Sequence, residues 1–162
     1  MNRKEMLLIL DEWIIHDLQG GNGSEKQKES YAFLEKMKEK CDKISWILGS
    51  KFSHKYYKLC KKSSFDLELK KKIKFLNGSF LRNPQKVEII TLDELNIEVE
   101  EYSHILKDIN PDDHYIVKAY FYLKRKINEE PIIITTDEKL VKKLRDLGVQ
   151  VDFRDNFIPN YK

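Results

Sequence analysis

Short apolar runs that alternate with amphipathic segments predict an α/β fold: a three-layer α/β/α sandwich around a central, mostly parallel sheet. Strands that are joined through helices pair in parallel and are covered by helices on both faces. The chain has 162 residues, enough for one hydrophobic core, so we expect a single domain over residues 1–162. The predicted strands cover residues 7–10, 43–48, 87–91, 132–135 and 149–153.

The strands are predicted from apolar runs with clear boundaries. Leu7-Leu8-Ile9-Leu10 and Ile132-Ile133-Ile134-Thr135 are continuous, as expected for strands buried on both faces. Pro84 and Pro131 precede the third and fourth strands, and Gly148 precedes the fifth.

The helices are predicted from apolar spacing together with capping and breaking residues. Ser24 follows a glycine-rich break at 20–23 and is the expected N-cap of the second helix. Asn77-Gly78 is expected to end the fourth helix, and Asn110 with Pro111 to begin the sixth. The predicted helices cover residues 12–18, 25–41, 51–61, 65–75, 96–109, 112–127 and 137–147.

Composition indicates a globular protein of the cytoplasm. Hydrophobic residues make up 41% of the chain and charged residues 35%, which is the balance of a chain that folds. No apolar stretch has the length of a membrane span or the character of a signal peptide, so we expect no membrane partner. Cys41 and Cys60 lie far apart without metal-ligand spacing, and buried, reduced thiols are expected rather than a disulfide.

Charge is distributed unevenly along the chain. The formal net charge is only +3, but residues 51–76 contain nine lysines and two acids, a net charge of +7. Residues 87–113 contain nine acids and one lysine. The chain is therefore electrically polarised.

Acidic residues follow two predicted strands and open a helix. Asp11 ends the first strand, Asp112-Asp113 begin helix 112–127, and Asp137 follows the fourth strand. In an alternating α/β chain the ligand crevice lies at the carboxyl ends of the strands, and a carboxylate cluster there is typical of a Mg²⁺ or Mn²⁺ site. Each acid also has a structural interpretation, because the macrodipole favours a carboxylate in the first turn of a helix.

Other chemical motifs are absent from the sequence. The glycines at 20–23 form neither a Walker loop nor G-x-G-x-x-G, and they follow a helix. The four histidines have no zinc-ligand spacing, and there is no G-x-S-x-G nucleophile elbow. An aspartyl-phosphate phosphotransferase would typically carry an acid two positions after Asp11, where Trp13 stands. Phosphoryl transfer is therefore only a third alternative.

Motifs in a fixed order along the chain carry a family resemblance. They are Leu8-Ile9-Leu10-Asp11, Phe33-Leu34-x-x-Met37, Cys41-x-x-Ile44-Ser45, Asp112-Asp113-x-Tyr115-Ile116-x-x-Ala119, Ile133-Ile134-Thr135-Thr136-Asp137-x-x-Leu140 and Leu147-Gly148-Val149. Together they resemble the PIN-domain proteins, in particular the single-domain PIN nucleases found as toxins and related proteins. The resemblance covers essentially the whole chain and implies a PIN-like sandwich.

The resemblance implies a ribonuclease that cleaves RNA phosphodiester bonds with Mg²⁺ or Mn²⁺ and that can be the toxin of a toxin–antitoxin pair. On this analogy Asp11, Asp113 and Asp137 are the catalytic and metal-binding carboxylates. Asp112 is a further candidate metal ligand, and Thr135 supports the pocket through a hydrogen bond. RNA, an antitoxin or other protein, and a second copy of the chain are the partners to consider.

The sequence departs from the family pattern at two positions. The family usually has Asn two residues after the first Asp, where this chain has Trp13. It also usually has a glutamate on the helix after the second strand, where this chain offers His54 or Lys55. The alternative is therefore a PIN-like module that binds RNA or a protein without cleaving. The acids considered as replacements are Glu12, Glu35 and Asp112.

The basic segment predicts an RNA-binding surface. Lysines there would neutralise phosphates, and Tyr56 and Tyr57 would stack on bases. The alternative is that the lysines form solvated helix faces, while Tyr56 and Phe75 belong to the core. The candidate RNA-binding lysines are Lys55, Lys58, Lys62, Lys70, Lys71 and Lys72.

Overall fold

The computed structural model describes residues 4–96, 102–127 and 130–162. Their five strands are β1 Leu7–Leu10, β2 Lys43–Leu48, β3 Val87–Thr91, β4 Ile132–Thr135 and β5 Val151–Phe153. All of them pair in parallel, in the order β3-β2-β1-β4-β5. The predicted α/β class and three-layer sandwich are confirmed.

Two hydrophobic cores lie on opposite faces of the sheet because successive side chains of a strand alternate in direction. In β1, Leu8 and Leu10 belong to one core, while Leu7 and Ile9 belong to the other. The first core is covered by α1 Trp13–Gln19, α2 Ser24–Glu39, α3 Lys51–Lys62, α4 Leu67–Leu76 and α9 Arg154–Asn160. The second is covered by α5 Leu92–Asn96, α6 Ser103–Leu106, α7 His114–Ile127 and α8 Glu138–Asp146.

The strand order fixes where a ligand crevice can form. From β1 the chain builds outward through β2 and β3 on one side, and later through β4 and β5 on the other. The order therefore reverses between β1 and β4, and such a switch point opens a crevice at the carboxyl ends of the strands. Since Leu10 pairs with Ile134, Asp11 and Thr135 lie side by side at the carboxyl ends of β1 and β4.

Several helix boundaries differ from the prediction. Ser24 is the first residue of α2, and Gly23 takes the N-cap position with a φ of 98°, a conformation that favours glycine. The predicted helix 65–75 begins only at Leu67, because the Asp66 side chain caps it by accepting a hydrogen bond from Leu69 N at 3.1 Å. Phe65 instead closes a 3₁₀ turn, Ser63–Phe65.

The Asn77-Gly78 pair does not end the helical segment as predicted. The chain continues from α4 into a π-helical turn, Asn77–Leu81, and Phe80 within it is fully buried in the first core. Burial of this ring outweighs the local turn preference of the asparagine–glycine pair.

The structure also differs from the prediction between residues 96 and 113 and after residue 148. Residues 97–101 of the predicted helix 96–109 lie outside the described residues. Within the described remainder, Asn96 ends α5 and Ser103–Leu106 forms α6. Asn110 is confirmed as a cap, but it caps a 3₁₀ turn, Pro111–Asp113, that leads into α7. β5 starts two residues later than predicted. Helix α9 was not predicted, because Pro159 and a short polar sequence conceal it.

Both cysteines are unpaired, as expected, but neither is fully buried as predicted: Cys41 is exposed and Cys60 is only partly buried. Among the described residues, no helix has the length and apolarity needed to cross a membrane.

Candidate functional site

Asp11 is held in place by α7. It follows β1 directly, and its Oδ1 accepts hydrogen bonds from the Tyr115 hydroxyl at 2.5 Å and from Glu12 N at 2.7 Å. Burial raises the pKa of Asp11, and the charge of Glu12 raises it further, although the two hydrogen bonds and Lys51 oppose this. Asp11 Oδ2 makes no hydrogen bond to the described residues, so one oxygen is oriented while the other stays available.

Asp137 lies on the neighbouring strand end and is held in a similar way. It is the N-cap of α8, and its Oδ1 accepts from Lys139 N at 2.9 Å and Leu140 N at 3.1 Å. The buried Thr135 side chain accepts from Asp137 N at 3.2 Å, which fixes the turn between β4 and α8. Asp137 Oδ2 also makes no hydrogen bond within the described chain.

Asp113 completes a group of three carboxylates. It ends the 3₁₀ turn before α7 and is half-buried. Its pKa is raised by burial first, and then by the negative charges of Asp11 and Asp137. The three predicted catalytic acids thus share one electrostatic environment at the switch point of the sheet. The structure brings them together from three separate parts of the chain.

Lysines from α3 neutralise the outer acids of this pocket. Lys51 Nζ lies 2.9 Å from Asp112 Oδ2, and its charge also lowers the pKa values of Asp11 and Asp113. Asp112, a predicted metal ligand, is therefore exposed and paired with a cation. This pairing lessens the repulsion within the pocket and also competes with any cation that Asp112 would bind.

Lys55, not His54, points toward the acids. Its Nζ lies 3.0 Å from the buried Glu12 Oε2 and donates to His16 Nε2 at 2.6 Å. His54 is exposed and lines an adjoining cleft of about 410 Å³. Among the acids considered as replacements for the family's glutamate, Glu12 forms an ion pair with Lys55. Glu35 is exposed on α2, and its charge contributes, after burial, to the raised pKa of Tyr31.

No group of three or more His, Cys, Asp or Glu side chains in the described part of the chain has a ready-made metal-binding arrangement. Mg²⁺, however, usually keeps several waters and is held by one or two carboxylates together with substrate phosphates. The free oxygens of Asp11 and Asp137 fit this mode of binding, and the charges of Asp11 and Asp137 contribute to the raised pKa of Asp113, after burial.

The predicted RNA-binding lysines have different surroundings. Lys58, Lys62 and Lys70 are exposed and form no ion pair within the described residues, whereas Lys71 pairs with Glu68 at 3.2 Å. Lys72 is half-buried, and Lys55 belongs to the acidic pocket. Tyr56 is buried in the core, as the alternative interpretation expected.

The role of Tyr115 was missed in the sequence. It lies 104 positions from Asp11, and a tyrosine in the first turn of an amphipathic helix is ordinarily explained by packing. Only its position two residues after Asp113 could have directed attention to the pocket.

No model of a known protein family matches this chain, and no curated protein sequence matches it. The likeness to PIN domains therefore rests on the sequence motifs alone.

Proposed function

We propose that this chain is a Mg²⁺- or Mn²⁺-dependent endoribonuclease of the PIN type that acts in the cytoplasm. The observation that supports it best is the pair Asp11 and Asp137. Each carboxylate has one oxygen fixed by protein donors and one oxygen free, and both lie at the switch point of a parallel sheet. Asp113 adds a third negative charge to the same pocket.

Electrostatics favours a cation in this pocket. Two carboxylates about 4 Å apart repel each other by roughly 4 kcal/mol at an intermediate effective dielectric constant. Asp11 and Asp137 would hold the ion, with Asp113 beside them. When bound, the cation would lower the pKa of a water molecule and stabilise negative charge on the phosphodiester.

The remaining residues of the site orient and balance these acids. Tyr115 keeps Asp11 in one rotamer, and the α8 amides together with Thr135 do the same for Asp137. Lys51 reaches the edge of the pocket through Asp112, where its ammonium group would meet an RNA phosphate as it approaches. Lys58 and Lys62 extend the positive charge along the exposed face of α3.

Cleavage of a labelled single-stranded RNA tests this proposal. The purified chain should cleave with added Mn²⁺ or Mg²⁺ and stop with a chelator. Asp11→Asn and Asp137→Asn should each lower the rate by at least about 100-fold, the scale of removing one charge-stabilising group from an active site. Asp146→Asn, at the other end of α8, is the matched control and should retain full activity.

An identical preparation of Asp11→Asn also controls for contaminating nucleases. Cleavage that survives in both Asn variants, or that continues in the chelator, would exclude the metal-dependent activity proposed for these acids.

Lys55 favours a second candidate, a PIN-like module that binds RNA without cleaving it. It occupies the helix position where the family resemblance expects a glutamate, and it directs positive charge into the acidic pocket. A fixed cation there competes with a metal ion for the carboxylates. In this case the wild-type chain binds RNA with no metal-dependent cleavage, and Lys55→Glu creates or strengthens both metal binding and turnover.

A further inference from the structure

We infer that the basic face of α3 and the apolar tip that follows it form a track for single-stranded RNA, which leads from the acidic pocket to Phe65. This inference rests on the proposed function for the strand's entry into the pocket. Exposure, spacing and charge of the side chains support the track itself, and binding measurements test it without cleavage.

The lysines of α3 lie on one stripe. Lys51, Lys55, Lys58 and Lys62 recur at intervals of three and four residues, which places them on the same side of a helix. The adjacent side, about 100° around the helix axis, carries the buried residues Phe52, Tyr56 and Leu59. The first two lysines contact the acids of the pocket, and the last two are exposed. The stripe therefore begins in the acidic pocket and continues out of it.

The 3₁₀ turn after α3 continues this stripe to an aromatic ring. Side chains at positions i and i+3 of a 3₁₀ helix eclipse each other, so Phe65 lies in line with Lys62. The burial of Ser63 on the core side agrees with this orientation. Phe65 is 95% exposed, and Leu67 next to it is 77% exposed. Such exposure of a phenylalanine and a leucine has no explanation in the packing of the described chain.

The surroundings of Phe65 favour a polyanion with flat apolar faces. Residues 51–76 carry nine lysines and two acids. One of those acids, Asp66, is used as a helix cap, and the other, Glu68, is paired with Lys71. Unstacked bases of a single strand bind to exposed rings while lysines follow the backbone, whereas a duplex hides its base faces.

The length of the track predicts a footprint. Twelve α-helical residues and one 3₁₀ turn extend over about 22 Å at about 1.5 and 2.0 Å per residue. A stacked strand rises about 3.4 Å per nucleotide, so about six nucleotides cover this distance, and an extended strand needs fewer. Oligonucleotides much shorter than this cannot reach both the pocket and Phe65.

Fluorescence anisotropy with labelled oligoadenylates in a chelator tests the track. An oligomer of about nine nucleotides should bind the wild-type chain more tightly than one of about three. Phe65→Ala should weaken binding of the longer oligomer by about tenfold, as expected for one lost stacking contact. Lys58→Gln with Lys62→Gln should make the dependence of log affinity on log salt shallower by about 1.4. A duplex of the same length should bind equally to wild type and Phe65→Ala.

Matched variants control for general effects. Leu147→Ala removes an apolar side chain that is 45% exposed elsewhere, and Lys28→Gln with Lys36→Gln removes two exposed charges from α2. Neither should change the affinity ratio of long to short oligomers. Because Phe65 makes so little contact with the fold, Phe65→Ala should leave the thermal midpoint unchanged, which removes misfolding as an explanation.

The outcomes separate the track from the nuclease. Length-dependent binding that depends on Phe65, without metal-dependent cleavage, supports the track and rejects the nuclease. Cleavage combined with unchanged RNA binding by Phe65→Ala rejects the track and keeps the nuclease. If Phe65→Ala instead loses binding to phosphatidylserine-containing vesicles while its RNA affinity is unchanged, the tip is a membrane contact and the inference is wrong.

Discussion

Asp11 and Asp113 illustrate how single residues are placed at a cost to the fold. Both carboxyl groups have raised pKa values, in each case mainly because of burial. The pKa of Asp113 is also raised by the charges of Asp11 and Asp137. Folding therefore favours the protonated form of these groups relative to the unfolded chain. Groups whose ionised form is disfavoured in this way are typical of functional sites.

Asp113→Asn should accordingly stabilise the metal-free chain near neutral pH. With a folded pKa above the reference value of 3.8, Asp113 contributes stability that is fully present below the unfolded pKa and lost as pH rises through the folded pKa. Removing one screened repulsion is worth about 1 kcal/mol, so the thermal midpoint should rise by about 2–4 °C at about pH 7.

Thermal unfolding in a chelator measures this effect, and the difference should shrink toward zero at about pH 3, where the wild-type carboxyl is also protonated. Added Mg²⁺ should stabilise wild type more than Asp113→Asn. A lower midpoint for the variant at neutral pH would mean that the Asp113 charge supports the fold instead.

At the scale of elements, Asp137 has a structural role at the start of helix α8 in addition to the chemical role proposed for it. Asp137 caps α8 through Oδ1 and directs Oδ2 elsewhere. The sequence alone suggested both roles, since an acid at the start of a helix after a buried strand suits either. The structure shows that Oδ1 caps the helix, whereas Oδ2 makes no hydrogen bond to the described residues.

Substitutions at Asp137 should separate these roles. Asparagine caps a helix about as well as aspartate, whereas alanine costs about 1 kcal/mol. Asp137→Asn is therefore expected to retain stability and lose RNA cleavage, and Asp137→Ala to lose both. Asp66→Ala removes the equivalent cap of α4 and shows the cost of a lost cap alone. Denaturant midpoints and cleavage rates measure the two effects, and a stability loss in Asp137→Asn equal to that in Asp137→Ala would contradict this division.

The sequence predicted elements unequally, and particular residues explain why. Continuous apolar runs such as Leu7–Leu10 define strands through local composition, so β1 to β4 were placed correctly. Helix α9 was missed because its burial depends on Ile158 packing against residues far away in sequence. The turn predicted at Asn77-Gly78 is replaced by a π-helical turn for the same reason, since Phe80 is buried in the first core. Local patterns predict elements well where burial follows from the pattern itself.

At the scale of the whole molecule, the sequence could predict that Asp11 and Asp137 converge. It could not predict which distant residues contact each other across the fold. Both acids follow strands, and parallel strands end at one edge of the sheet, so a shared crevice was predictable. Tyr115 and Arg154 depend on contacts across 104 and 137 positions. No local pattern in the sequence encodes such pairings.

Arg154 joins the end of the chain to its first helices. It is 1% exposed, and its guanidinium donates to the fully buried Asp17 at 2.9 Å, to Glu29 at 2.7 Å and to Ser30 at 3.0 Å. It therefore connects α9 to α1 and α2 on the face of the sheet that also supports α3. Removing the guanidinium would leave the Asp17 carboxylate buried without its cation.

Arg154→Met should therefore destabilise the protein by about 3–5 kcal/mol, the usual cost of breaking a buried ion pair by removing one partner. Arg145→Met is the matched control, because Arg145 forms an ion pair with Asp152 at the surface and should cost at most about 1 kcal/mol. Urea unfolding midpoints of the two variants give the comparison. Adding Asp17→Leu to Arg154→Met should recover part of the loss, since the uncompensated buried charge is then gone. Equal midpoints for Arg154→Met and Arg145→Met would show that the buried network does not hold the chain's end against α1 and α2.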